Sequence, residues 1–113
     1  MNTKNIAIVG GGQLGSRHLQ ALKSVDADLR ISVSDPSNES LNICKERFDS
    51  IPANKFVQNI KYLDKLPENT DIDIAIIATS SNVRSHVIKN LIYRNNVKNL
   101  IIEKLLFQKF DYT

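Results

Sequence analysis

The fold is decided by residues 6–22, IAIVGGGQLGSRHLQAL, in which four apolar residues run directly into three glycines. The continuous apolar run Ile6–Val9 predicts a strand that is buried on both faces. Leu14 and Leu22 then follow at helical spacing, so we predict a helix over about residues 13–24. Glycine loses more conformational entropy on folding than other residues. A glycine-rich junction between a strand and a helix therefore indicates that side chains at these positions would interfere with the structure or with a ligand.

Strands and helices alternate along the rest of the chain. Ser37 is the predicted N-cap of the second helix. Leu63 and Leu66 predict one helical turn, which ends at Pro67. The other predicted elements are strands at Leu29–Ser34, Phe56–Val57, Ile72–Ala78 and Asn99–Glu103, a helix whose apolar face holds Leu41, Cys44 and Phe48, and a helix over about Asn82–Arg94. This order predicts an α/β fold, a Rossmann-like doubly wound parallel sheet of about five strands with helices on both faces.

Composition excludes several classes of protein. A chain of 113 residues predicts one domain, residues 1–113. The net charge of +3 is modest and the lysines are scattered, which argues against a nucleic-acid partner. No run approaches the roughly 20 apolar residues of a membrane span, so no membrane partner is expected. The single cysteine, Cys44, excludes an internal disulfide and suits the cytoplasm; we expect it to pack as a small hydrophobe, with a reactive thiol as the alternative.

The three glycines that recur as G-x-G-x-x-G predict a dinucleotide cofactor. Gly10 allows a tight turn, Gly12 lets a pyrophosphate approach the backbone, and Gly15 lets the helix pack close to the strand. The N–H groups at the start of the helix then face the phosphates. Gln13 and Leu14 lie in the same turn and are counted with the cofactor-binding residues. The alternative is a glycine-rich turn that binds another ligand.

An acidic residue follows the second strand at the expected distance. Asp35 lies twenty positions after Gly15, which is the spacing of the carboxylate that binds the adenosine ribose hydroxyls. Because a carboxylate repels a 2′-phosphate, we expect NAD rather than NADP. A role for Asp35 only in a turn or as a helix N-cap remains the alternative. His18 is interpreted as a partly buried structural residue that the helix carries away from the ligand edge, and His86 as a helix-surface residue.

Three ordered motifs resemble the glucose–fructose oxidoreductase / inositol dehydrogenase / rhizopine-catabolism (Gfo/Idh/MocA) family. GGGQLGSRHLQAL is similar to its pattern G-x-G-x-x-G-x-x-H, DIAIIATSSNVRSHVIKNLI resembles its fourth strand and following helix, and NLIIEKLL resembles its fifth strand. The resemblance implies an oxidoreductase that uses NAD or NADP on sugars, sugar derivatives or related polyols.

The same resemblance implies roles for residues after the fourth and fifth strands. Thr79 and Ser80 would lie along the nicotinamide side of the cofactor, and Glu103 near the nicotinamide ribose. Lys104 would orient cofactor and substrate, and its ammonium would hydrogen-bond the reacting hydroxyl as the catalytic residue. A solvated charge pair at a strand end is the alternative for Glu103 and Lys104. The sequence departs from the family pattern at Ser80 and Leu105, where proline is usual.

The family resemblance also implies a second α/β domain beyond this stretch of chain. That domain would supply most of the substrate pocket, an acid–base histidine and the interface of a homo-oligomer. We therefore expect residues 1–113 to bind the cofactor without forming a complete catalytic site. The alternative is a non-catalytic dinucleotide-sensing module similar to the regulators of potassium uptake, which would not need Glu103 and Lys104.

Overall fold

The computed structural model describes residues 3–52 and 58–103. Strands and helices alternate as the sequence predicts, apart from two successive strands before the last helix. In chain order the elements are β1 (Lys4–Val9), α1 (Gly12–Lys23), β2 (Leu29–Ser34), α2 (Asn38–Asp49), β3 (Gln58–Leu63), β4 (Asp71–Ile77), α3 (Ser81–Arg94) and β5 (Asn96–Ile102).

The strands form one parallel sheet in the order β3-β2-β1-β4-β5. Ile6 of β1 lies opposite Ile31 of β2 on one side and opposite Ile74 of β4 on the other. The strand order therefore reverses at β1, which is where doubly wound sheets leave a crevice for a ligand at the carboxyl ends of the strands. This architecture confirms the Rossmann-like α/β prediction.

Helices cover both faces of the sheet because β1 is apolar on both sides. Two apolar clusters lie on opposite faces of this strand. The first joins Ile6 and Ile8 to Leu19 of α1 and to Leu41, Cys44 and Phe48 of α2. The second joins Ala7 and Val9 to Ile77 of β4 and Leu91 of α3. The predicted cap of α2 is also confirmed, because the hydroxyl of Ser37 accepts a hydrogen bond from the backbone N–H of Ser40.

The third strand differs from the prediction. Phe56 and Val57 lie outside the described residues, and β3 occupies Gln58–Leu63, where the sequence predicts no strand. It is an outer strand whose exposure alternates, so it lacks the continuous apolar run that marks a buried strand. The predicted helical turn at Leu63 and Leu66 is wrong, because Leu63 ends β3 and residues 64–70 form no helix.

The open face beside β3 contains a cavity of about 660 Å³. It is lined in part by Arg30, Asn59 and Lys61, and by residues of the 64–70 connection. The lining extends from Asn59 near the start of β3 to Leu63 at its end, so the cavity runs along most of this outer strand.

The fifth strand is longer and more exposed than predicted. It begins at Asn96 rather than Asn99, and it pairs only with β4 among the described strands. Ile101 and Ile102 are each 45% exposed, so β5 is not the buried strand that its apolar sequence suggests. Within residues 3–52 and 58–103, none of the helices has the length and apolar content needed to cross a membrane.

Candidate functional site

Four backbone hydrogen bonds place the predicted site residues in one row along the carboxyl edge of the sheet. Each continues the parallel ladder one residue beyond a strand. Asp35 N–H donates to Leu63 O (2.9 Å), Gly10 N–H to Ser34 O (2.8 Å), Ala78 N–H to Val9 O (2.8 Å) and Glu103 N–H to Ile77 O (3.0 Å). The carboxylate after β2, the glycine turn after β1, and the residues after β4 and β5 therefore lie in the order of the strands.

Two of the glycines are required by close approach of the backbone. Gly10 has φ of +98°, and a Cβ there would lie 2.9 Å from the carbonyl carbon of Ala78. A Cβ on Gly15 would lie only 1.9 Å from the carbonyl oxygen of Gly10. The first turn of α1 is thus packed directly against the end of β1, as the spacing of these glycines predicts.

Gly12 is required for a different reason, which is consistent with a ligand above the turn. Its φ is +69°, and a Cβ built there would meet no described atom within 4 Å. The N-cap of α1 is Gly11, no described side chain caps it, and the first turn contains no acidic residue. Open space beside the N-terminus of a helix whose first turn contains no acidic residue suits an anionic group such as a pyrophosphate.

The carboxylate of Asp35 connects the glycine turn to the β2–α2 connection. Its Oδ2 accepts a 2.7 Å hydrogen bond from Gly11 N–H, and its Oδ1 accepts a 2.8 Å bond from Ser37 N–H. Asp35 therefore has the turn role that the sequence left open as an alternative, although the N-cap is Ser37. Each oxygen retains a further lone pair, so these bonds are compatible with hydroxyl donors from a ligand.

The loop after β4 brings two hydroxyl groups to the same edge. Thr79 Oγ1 is buried and has no hydrogen-bond partner among the described residues. A buried hydroxyl without a partner costs about 1–3 kcal/mol, so a polar ligand group at this position would relieve a real penalty. Ser80 is exposed and is the N-cap residue of α3, and its hydroxyl bonds to Asn82 Oδ1 instead of capping the helix backbone.

Glu103 at the end of β5 is held from both faces of the sheet. Its Oε2 lies 3.6 Å from His18 Nε2 of α1. Its carbonyl oxygen accepts a 3.3 Å hydrogen bond from Arg84 Nη2 of α3. His18 is partly buried as predicted, but the expectation that α1 carries it away from the ligand edge is wrong, because it faces a predicted site residue.

The remaining candidate residues of the sequence analysis are Lys104, Cys44 and His86. Lys104 lies outside the described residues, so its catalytic role stays a prediction. Cys44 is fully buried in the first apolar cluster, and burial raises the pKa of its thiol, with the negative charge of Asp35 adding to this effect. It is therefore the small packing residue that the sequence predicts. His86 is exposed on α3, also as predicted.

Sequence reasoning missed Gly11 and Arg84. Gly11 is tightly enclosed, since a Cβ there would lie 3.2 Å from Ser40 Cβ and 3.3 Å from Asp35 Oδ2. Arg84 precedes Val87 by three positions and Leu91 by seven, which places a cation on the core-facing side of a helix. That pattern was a usable signal, because a charged residue on an apolar face needs a specific partner.

Comparison with known proteins agrees with this geometry. The sequence profile of the Gfo/Idh/MocA family, described as an oxidoreductase family with an NAD-binding Rossmann fold, matches residues 4–109. No curated protein and no solved structure matches the chain significantly. The profile covers nearly all of the chain, including the glycine turn, Asp35, Thr79 and Glu103. The chain therefore belongs to the Gfo/Idh/MocA oxidoreductase family, of which it represents the NAD-binding Rossmann domain.

Proposed function

We propose that the chain is the cofactor-binding domain of an NAD(H)-dependent oxidoreductase that acts on a sugar, a nucleotide sugar or a related polyol by hydride transfer. The observation that carries this proposal is the row formed by Asp35, the glycine turn, Thr79 and Glu103 along one sheet edge. These residues follow four different strands, yet they offer groups suited to successive parts of one extended dinucleotide.

The adenosine half of the cofactor is assigned to the β1–α1 and β2–α2 connections. The pyrophosphate would occupy the open space at Gly12, with Gln13 and Leu14 contributing backbone N–H groups. The ribose hydroxyls would donate to Asp35, whose oxygens already accept hydrogen bonds from Gly11 and Ser37. The same negative charge would repel a 2′-phosphate, which favours NAD(H) over NADP(H).

The nicotinamide half is assigned to the residues after β4 and β5. Thr79 Oγ1 is a buried hydroxyl that needs a partner, and Ser80 lies beside it in the chain. Glu103 is fixed at the same edge by α1, β4 and α3. When bound, the nicotinamide ring supplies the hydride acceptor or donor at its C4 atom. Lys104 would hold the reacting hydroxyl and stabilise negative charge on its oxygen.

The substrate class rests on the family resemblance. A second α/β domain, as implied for this family, would supply most of the groups that recognise the sugar and would form the oligomer interface. Residues 1–113 would then bind the cofactor without completing the catalytic site. A hydroxyl group of a sugar, a nucleotide sugar or a polyol would fit the role expected of Lys104, which is to present a hydrogen-bond donor next to the nicotinamide.

The activity is tested in the full-length protein with NAD⁺ and a panel of sugars, nucleotide sugars and polyols, by following NADH absorbance. We expect turnover with a member of this panel, and loss of kcat by a factor on the order of 10²–10⁴ in Lys104→Ala, the range typical of a lost general acid–base group. Lys89→Ala, which removes an exposed lysine of α3, is the control and should leave kcat unchanged. Equal turnover in both variants would contradict the role of Lys104.

A further inference from the structure

The chain crosses from β3 to β4 without forming a helix. β3 ends at Leu63 and the parallel strand β4 begins at Asp71, so residues 64–70 pass from the carboxyl edge of the sheet to its opposite edge. Leu66 of this connection packs against the second apolar cluster, which places the connection on the face opposite α1 and α2. Parallel strands are ordinarily joined by a dozen or more residues that contain a helix. The shorter connection leaves a cavity of about 660 Å³ between itself and the strands.

The connection is held in place by the carboxyl-terminal end of α3. Asn69 N–H donates a hydrogen bond to Arg94 O (2.8 Å), and Thr70 N–H donates to Asn95 Oδ1 (3.0 Å). Asn95 Nδ2 donates in turn to the carbonyl oxygen of Pro67 (2.8 Å). Pro67 and Thr70 both line the cavity, so its roof is fixed by hydrogen bonds to a helix end outside it. The cavity is therefore formed before any ligand binds, as small-molecule sites usually are.

The floor of the cavity is polar, although β2 is an interior strand of the sheet. Alternation along β2 places Arg30 and Ser32 on the face opposite its buried apolar residues. The register with β3 sets Asn59 beside Arg30 and Lys61 beside Ser32, and all four residues line the cavity. A strand that is covered on both faces is normally a continuous apolar run, so packing alone does not explain Arg30 and Ser32.

Positive charge is in excess in this lining. Within residues 3–52 and 58–103, no ion pair joins Arg30 or Lys61 to an acidic side chain. Glu68 is the acidic residue of the lining, and its Oε1 lies 2.7 Å from Arg94 Nη1, so its charge is already compensated. Arg30 and Lys61 lie on neighbouring strands, two residues apart along the sheet, and their long side chains can reach one ligand.

We propose that this cavity binds a small organic anion, whose phosphate or carboxylate group is held by Arg30 and Lys61. A guanidinium matches either group with two parallel hydrogen bonds, and an ammonium adds a point charge. Ser32 and Asn59 offer further hydrogen-bonding groups, and Leu63 offers apolar surface to the rest of the molecule. The volume suits a small molecule. None of the residues assigned to the cofactor lines the cavity, so this site is additional to the proposed function.

The test is a titration of the chain with glucose 6-phosphate and with citrate, followed in ¹H–¹⁵N NMR spectra. Glucose 6-phosphate carries a phosphate and citrate carries only carboxylates, so the two probes show which group the cavity takes. Glucose is the uncharged control. We expect the amide signals of Arg30, Ser32 and Lys61 to shift with one or both anions and to stay constant with glucose.

Substitutions of the two cations measure their contributions. Arg30→Gln and Lys61→Gln should each weaken binding of the anion about tenfold or more, the factor typical of a hydrogen bond to a charged group. Both side chains are exposed, so the variants should keep the wild-type thermal unfolding. Arg30→Lys retains the charge without the planar fork and should bind with intermediate affinity. Lys45→Gln removes an exposed lysine of α2, on the other face of the sheet, and should change nothing.

Binding of the anion should also be independent of the dinucleotide site. Saturating NADH should leave the affinity for glucose 6-phosphate and citrate unchanged, and Arg30→Gln should bind NADH as wild type does. Equal losses in Arg30→Gln and Lys45→Gln, shifts confined to the glycine turn, or no shifts in β2 and β3 with either anion at millimolar concentration would overturn the proposal. Each of these results leaves the cofactor assignment intact, whereas failure to bind NADH would contradict that assignment alone.

Discussion

The backbone N–H of Gly11 donates a 2.7 Å hydrogen bond to Oδ2 of Asp35, which joins the glycine turn directly to the carboxylate that follows β2. The other oxygen of the same carboxylate accepts from Ser37 N–H, in the loop before α2. Asp35 therefore shapes two loops of the site in addition to carrying the charge assigned to cofactor selection. A substitution at this position changes both properties unless the new side chain retains an acceptor.

Asparagine and alanine at position 35 should separate these two properties. Asp35→Asn retains one acceptor oxygen but loses the charge, so NADH should still bind while the preference over NADPH disappears. Asp35→Ala loses both hydrogen bonds, so it should also lower the free energy of unfolding by about 1 kcal/mol. Denaturant unfolding and calorimetric titration measure the two effects. Unchanged cofactor preference in both variants would show that Asp35 acts only in the turn.

Alanine at two positions of the glycine turn should have different consequences. In Gly15→Ala the new Cβ would overlap the carbonyl oxygen of Gly10, at 1.9 Å, so α1 must move and stability should fall by about 3 kcal/mol or more. In Gly12→Ala the Cβ meets no described atom within 4 Å. The free energy of unfolding should fall only by the cost of placing a residue with a Cβ in the left-handed conformation, about 1–2 kcal/mol.

NADH binding should nevertheless be weakened in both glycine variants. The methyl group of Gly12→Ala would occupy the space assigned to the pyrophosphate, so NADH affinity should fall on the order of tenfold or more in a chain that is still folded. Thermal unfolding and titration of the same samples test this difference. A folded Gly12→Ala that binds NADH as tightly as wild type would argue against a pyrophosphate at this turn.

The thiol of Cys44 should be inert in the native chain. The side chain is fully buried, and its pKa is raised by burial, so the reactive thiolate is scarce at neutral pH. A chromogenic disulfide reagent should therefore react with Cys44 only as fast as the chain unfolds, and rapidly in denaturant. Immediate stoichiometric labelling of the folded chain would contradict the buried packing of this residue.

Asp73 should contribute to stability in a pH-dependent way. The N–H of Asn5 donates a 2.8 Å hydrogen bond to its carboxylate and Lys98 lies 3.5 Å away, and these contacts lower its pKa. A carboxyl group whose pKa is lower in the folded chain stabilises the fold above its unfolded pKa, near 4, and loses this contribution as the pH falls through the folded value.

Unfolding of Asp73→Asn over a pH series tests this contribution. Relative to wild type, the variant should be less stable at pH 7, and the difference should shrink as the pH falls below about 4. The exposed Asp26 provides the control, because Asp26→Asn should follow the wild-type profile. A difference between Asp73→Asn and wild type that stays constant at every pH would exclude the charge of Asp73 as its cause.

A strand can be predicted from the sequence when the pattern of its own apolar residues is enough to identify it. The continuous apolar run of Ile6–Val9 and the alternation of Leu29–Ser34 define β1 and β2 without any knowledge of their partners. The outer strand β3 has one open face, so Asn59 and Lys61 interrupt its apolar pattern. The end of β5 is apolar in sequence, which is typical of a buried strand, but Ile101 and Ile102 are almost half-exposed in the structure.

The proximity of some site residues could be predicted from the sequence, and that of others could not. Fixed spacing relates the glycines to one another and to Asp35, so their proximity could be predicted. The contacts of Glu103 with His18 and Arg84 join residues that are distant in the chain or on different faces of the sheet. No sequence period relates such positions, and only the strand order brings α1, α3 and the end of β5 together.

The most direct test of the cofactor site is calorimetric titration of the chain with NADH and with NADPH, repeated on Asp35→Asn. The account predicts that NADH binds at least about tenfold more tightly than NADPH, and that Asp35→Asn brings the two affinities together. Tighter binding of NADPH by the wild-type chain would contradict the role of Asp35, and absence of binding by both nucleotides would contradict the assignment of this sheet edge as a dinucleotide site.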